Sequence, residues 1–97
     1  MGRPGMGLEY QPGSRDFLRT LAPAPRKALR QALQLLAKDP YHEGLDWKVL
    51  RTRGADRLLR YRVLKRYRIV VLLRGDRRIV WRIFHRDEGY GWLERAG

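Results

Sequence analysis

Tyr67-Arg-Ile-Val-Val-Leu-Leu-Arg-Gly-Asp-Arg-Arg-Ile-Val-Trp-Arg-Ile-Phe-His-Arg86 is the stretch that decides how this chain folds. Its two runs rich in Ile and Val read as strands, because β-branched side chains pack well on a pleated surface. Gly75-Asp76-Arg77 between them fits a three-residue hairpin loop. Arginine recurs within both runs, and a strand tolerates a guanidinium only where it meets water or an anion. The hairpin is therefore expected to turn one side to a core and the other to solvent or phosphate.

The same reading extends upstream. From Arg57 to Val63, Leu59, Tyr61 and Val63 alternate with Arg60 and Arg62, so both arginines leave the strand by one face. Trp47-Lys-Val-Leu-Arg-Thr52 is a further strand, joined to it by the turn Arg53-Gly54-Ala55-Asp56. Leu64-Lys65-Arg66 turns the chain into Tyr67–Arg74, whose centre is apolar on both faces, as a middle strand requires. On strict alternation the last strand, Arg78 to His85, sets Arg78, Val80, Arg82 and Phe84 against Ile79, Trp81, Ile83 and His85. Trp47, Tyr61 and Trp81 read as packing residues.

Before the strands, Leu29, Ala32, Leu33 and Leu36 recur at helical spacing and predict a helix from Pro25 to Lys38, stopped by Asp39-Pro40. Ser14 is placed to cap a shorter helix with Asp16 in its first turn and Phe17, Leu18 and Leu21 as its apolar stripe. Leu8-Glu9-Tyr10-Gln11 is a candidate first strand. Helices followed by a meander imply an α+β fold, with two N-terminal helices packed on one face of a twisted antiparallel sheet of three to four strands. Residues 1–7, rich in Gly, are expected to be a flexible N-terminus, and residues 8–97 a single domain.

Ninety-seven residues suffice for one small core. The chain has no cysteine, so it has neither a disulfide framework nor a thiolate metal site. His42 and His85 fall on segments far apart, which argues against zinc. No apolar run approaches the roughly 20 residues of a membrane helix, and nothing resembles a signal peptide. A soluble, cytoplasmic protein without a membrane partner or cofactor is expected.

The net charge of +12 is unevenly placed. Residues 47–86 hold 14 Arg or Lys against only Asp56 and Asp76, and the rest of the chain is nearly balanced. A basic field confined to the strands concentrates polyanions, and nucleic acid is the usual one. Arginine makes up 18 of the 22 basic residues, so compositional bias is the competing explanation, but bias alone would not confine the excess to one segment.

The order of these elements resembles the RelE/ParE superfamily of type II toxins. Leu33-Gln-Leu-Leu-Ala-Lys-Asp-Pro40 is similar to that family's helix end, and Trp47-Lys-Val-Leu50 to its next strand. Arg60-Tyr-Arg-Val63 with Tyr67-Arg-Ile-Val70 resembles its central strands, and His85-Arg-Asp-Glu-Gly-Tyr90 its closing segment. Arg60 and Arg62 stand where the best-known members have lysines, and Val71 where the family often has tyrosine. The resemblance implies a toxin neutralised by a cognate antitoxin. It is either a RelE-like endoribonuclease that cleaves mRNA on the ribosome without a metal, or a ParE-like inhibitor of gyrase that is not a nuclease. A non-catalytic RNA-binding domain is a third possibility. Carried over by position, the functional residues would be Arg60, Arg62, Arg68, Arg86 and Tyr90.

Metal-free RNA cleavage needs a base for the 2′-hydroxyl, an acid for the leaving 5′-oxygen, and cations around the phosphate. Arg60, Arg62, Arg68, Arg82 and Arg86 suit the cationic task, since a guanidinium grips phosphate with two parallel bonds and stays charged. That permanence makes it a poor proton carrier. His85 and Tyr90 are the candidate acid and base, with Arg68 and Arg86 clamping the phosphate. Trp92, past the last strand, is a candidate for stacking on a base.

Overall fold

A computed structural model describes residues 7–89 and 91. In chain order it contains β1 (Glu9–Tyr10), α1 (Asp16–Arg19), α2 (Pro23–Lys38), β2 (Asp46–Arg53), β3 (Asp56–Val63), β4 (Tyr67–Arg74) and β5 (Arg77–His85). A single 3-10 turn, Arg86–Glu88, follows. The sheet runs β1-β5-β4-β3-β2, an antiparallel meander with β1 added in parallel beside β5.

This corrects the expected fold class. Among the described residues the sheet has five strands and is mixed, where the sequence predicts three to four antiparallel strands, and the first of the two helices ahead of β2 is only four residues long. A parallel neighbour cannot be reached through a hairpin, so no turn signal in the sequence announces the pairing of β1 with β5. Long-range bonds make that pair: Gln11 N–H donates to the Val80 carbonyl at 2.9 Å, and the Arg77 guanidinium grips both Glu9 oxygens at 2.9 and 2.8 Å.

Local chemistry explains the elements. Pro23 opens α2, with Pro25 also in its first turn, where a missing N–H costs nothing. The helix thus starts two residues before the predicted position. Leu29, Ala32, Leu33 and Leu36 are buried as their spacing predicts, in one cluster with Leu59, Tyr61, Ile69, Val71, Val80 and Ile83. Each fully buried leucine contributes about 1.5–3 kcal/mol. At the C-terminal end of α2, Arg78 donates to the Leu36 and Ala37 carbonyls, which the helix itself leaves unpaired. Ser14 does not cap α1. Arg15 holds the N-cap position, and the buried Ser14 hydroxyl has no partner among the described residues.

Two further departures shape the hairpin and the sheet face opposite the helices. Arg74 pairs directly with Arg77, so the hairpin loop is Gly75-Asp76 alone, with Gly75 at φ 59°. Two-residue loops of this kind require a positive φ, which glycine adopts without penalty. Within β4–β5, Val70 pairs with Arg82 but Val71 with Val80, leaving Trp81 as an extra, bulged residue. The bulge breaks strict alternation. Val80 and Ile83 face the helices, whereas Trp81 packs with Phe84, Val70 and Leu58 on the opposite face. A register shift between Val49 and Arg51 likewise leaves Leu50 as an extra residue, and it packs in that second cluster.

Candidate functional site

The face of the sheet turned away from the helices carries the arginines, arranged in two adjacent cross-strand rows. One row runs Asp46, Arg62, Arg68, Phe84, and the next runs Lys48, Arg60, Val70, Arg82. Strands lie about 4.8 Å apart and same-face residues about 7 Å apart. Arg60, Arg62, Arg68 and Arg82 therefore spring from a patch of sheet roughly 10 by 7 Å. Val70 and Phe84 share this face and are both fully buried, so the aliphatic stems of the arginines have an apolar floor to rest on.

Each guanidinium is held differently. Arg62 Nε donates to Asp46 Oδ2 at 2.7 Å, with both side chains about half exposed. Arg82 donates to Glu88, which the 3-10 turn brings back over β5. Exposed pairs of this kind contribute little to stability, so another anion can compete for these cations. Arg68 Nη1 donates to the carbonyls of Lys65 and Tyr67 at 3.1 and 3.0 Å, which fixes its position without neutralising it. Arg60 is the anomaly. Its Nη1 is buried with no acceptor among the described residues, and Lys48 is its direct cross-strand partner, with Arg82 beyond Val70 in the same row. A buried cationic nitrogen without an acceptor is costly, and such groups persist where function requires them.

Arg86 follows β5 directly. Its backbone N–H donates to Arg66 O at 2.7 Å, and its half-exposed side chain lies 3.8 Å from Asp87 Oδ1. His85 pairs with Tyr67, on the helix-facing side, with its ring edge-on to the phenol at 5.5 Å between centroids. Its Nδ1 accepts the Asp87 N–H at 3.1 Å and so caps the 3-10 turn. The structure thus brings Arg60, Arg62, Arg68 and Arg82 together, leaves Arg86 just beyond them, and sets His85 across the sheet. Tyr90 and Trp92 lie outside the described residues.

Among the described residues the arginine face carries neither imidazole nor phenol. Tyr61, whose burial pushes its phenol well above the ordinary tyrosine range, faces the helices and donates to Pro40 O at 2.8 Å. Lys48 belongs to the cationic row and was legible from the alternation of Trp47, Lys48 and Val49. Asp46 and Glu88, the carboxylates that touch the arginines, had no signal in the sequence, because their contacts depend on strand register and on the turn after β5.

No family model matches the chain, and no curated protein matches it at a significant level. Among solved structures, the fold is similar to a chain of the archaeal RelE–RelB complex from Pyrococcus horikoshii OT3. The TM-score is 0.72 at 19% identity, covering 82% of this chain and 93% of that one. It is also similar to a chain of the RelB–RelE antitoxin–toxin complex from Methanococcus jannaschii. Here the TM-score is 0.67 at 22% identity, covering 89% of this chain and 99% of that one. At such identities the likeness is one of fold.

Proposed function

We propose that this chain is a component of a toxin–antitoxin pair, and specifically its toxin, which binds mRNA on the ribosome through the arginine face and cleaves it. The observation that carries the reading is the convergence of Arg60, Arg62, Arg68 and Arg82 on two adjacent rows of one sheet face. Supporting it are the fold similarity to chains of RelE–RelB complexes and a net charge of +12 concentrated on the strands. In this reading Arg68 and Arg86 clamp the scissile phosphate, and Arg60, Arg62 and Arg82 hold the flanking backbone. Tyr90 is the candidate proton carrier and Trp92 a candidate stacking residue. The domain is a single unit over residues 8–97, it acts in the cytoplasm, and its protein partner is a cognate antitoxin; the N-terminal segment expected to be flexible falls almost wholly outside the described residues.

One observation favours a second reading. His85 points to the helix side and is engaged as a cap, so the arginine face has no described acid–base pair. The same cations would then form a protein-binding surface, as in a gyrase-inhibiting toxin without nuclease chemistry. Induced expression in a bacterial host separates the two readings. Translation arrest with mRNA cut within codons supports the first, a DNA-damage response with intact mRNA supports the second, and harmless expression refutes both.

A further inference from the structure

We propose that Trp81 is a base-stacking residue of the arginine face, giving that face a grip on nucleobases as well as on phosphates. The inference rests on the RNA-binding reading above and adds a contact that alternation along β5 hides. An unbulged strand would have turned Trp81 to the helices together with Ile83. The extra residue between Val80 and Arg82 instead delivers the indole to the opposite face, against Leu58, Val70 and Phe84 and beside Arg82. Bulges re-aim side chains in this way, and they are over-represented next to functional sites.

The other described aromatics do not compete for this role. Phe84 shares the face but is 1% exposed, so it has no surface to offer. Tyr61 and Tyr67 belong to the helix-side core, and Trp47, paired with Tyr61 at the β2 edge, sits edge-on to Tyr41 at 5.0 Å. Trp81 is only partly buried, with apolar support below and Arg82 next to it on the same face. An aromatic ring on apolar backing and next to guanidinium groups is the arrangement that single-stranded nucleic acid exploits. Phosphates go to the cations and the base goes to the ring. Stacking is sequence-tolerant, so the contact adds affinity for unpaired RNA over other polyanions without selecting a codon.

The test compares two polyanions on the whole chain: a short single-stranded RNA, and inorganic polyphosphate of equal charge, which has no bases. Trp81→Leu should weaken RNA binding by about 5- to 150-fold, the range that loss of one stacked base produces. It should leave polyphosphate binding unchanged, and Trp81→Phe should keep most of the RNA affinity. Equal losses for both polyanions, or an unchanged RNA affinity, would overturn the proposal. If the wild-type chain binds neither polyanion, the reading of the arginine face itself fails, and this inference with it. Should Trp81→Leu not fold, fluorescence of a chain with Trp47→Phe and Trp92→Phe decides. RNA must quench Trp81 where polyphosphate does not, and equal responses would refute stacking.

Discussion

Replacing Arg60 by methionine should make this protein more stable and a poorer binder of RNA. Arg60 Nη1 is buried without an acceptor among the described residues, and Lys48 stands directly opposite it on β2. An unsatisfied buried donor costs about 1–3 kcal/mol, and like charges set opposite one another on a sheet cost about 0.2–1 kcal/mol. Because Arg60 as a whole is only partly buried, solvent screens part of both effects, and a net gain of about 1–2 kcal/mol remains. Methionine keeps the length of the stem and fills irregular space over Val70 without a charge. For a domain this small, each kcal/mol moves Tm by roughly 4–8 °C, so thermal and urea melts followed by circular dichroism should show a rise of at least about 4 °C. The same variant should bind single-stranded RNA more weakly, and the slope of log K against log salt should be shallower by about 0.7, the share of one phosphate contact. A lowered Tm would mean that Arg60 already has its acceptor within the protein. An unchanged salt slope would mean that it never meets a phosphate.

Three further outcomes are expected from the geometry. Tyr61→Phe removes the buried bond to Pro40 O and should cost about 1 kcal/mol by denaturant titration, with RNA binding unaffected. His85→Ala should speed hydrogen exchange at the Asp87 amide, whereas His85→Asn, whose side chain can also accept that N–H, should preserve protection. If His85 were the proton carrier, both variants would lose RNA cleavage equally. Arg77 and Arg74, hydrogen-bonded to Glu9 and Asp56, hold those carboxyls below their ordinary values of 4.5 and 3.8. Their folded values being lowered, the stabilisation is complete above the ordinary values and disappears as pH falls through the lowered ones. The Tm of a Glu9→Gln, Asp56→Asn chain should accordingly lie below wild type at neutral pH and converge with it as the solution is acidified below the lowered values.

The pairing of alternation with register explains which parts of the site were readable. Arg60 and Arg62 share a face because nothing interrupts β3, and Arg68 joins them because Arg62 pairs with Arg68 across an unbroken ladder. Arg82 shares that face with Phe84, and the bulge at Trp81 parts both from Arg78 and Val80, their partners under strict alternation. His85 is a candidate because an imidazole carries a proton where a guanidinium cannot, but successive strand residues point in opposite directions, so it leaves β5 on the face opposite Phe84, and Arg86 already lies beyond the strand.

Local pattern alone settled α2, its buried stripe of Leu29, Ala32, Leu33 and Leu36, the four strands of the meander, and the concentration of positive charge upon them. Those features depend on residues a few positions apart, and periodicity and turn chemistry express such relations directly. Tertiary structure decided the parallel entry of β1 beside β5, the carboxylates laid against Arg62 and Arg82, and the face on which Trp81 emerges. Each of these joins segments distant along the chain or turns on one extra residue in a ladder. A hydrophobic pattern is indifferent to such choices until the strands are paired.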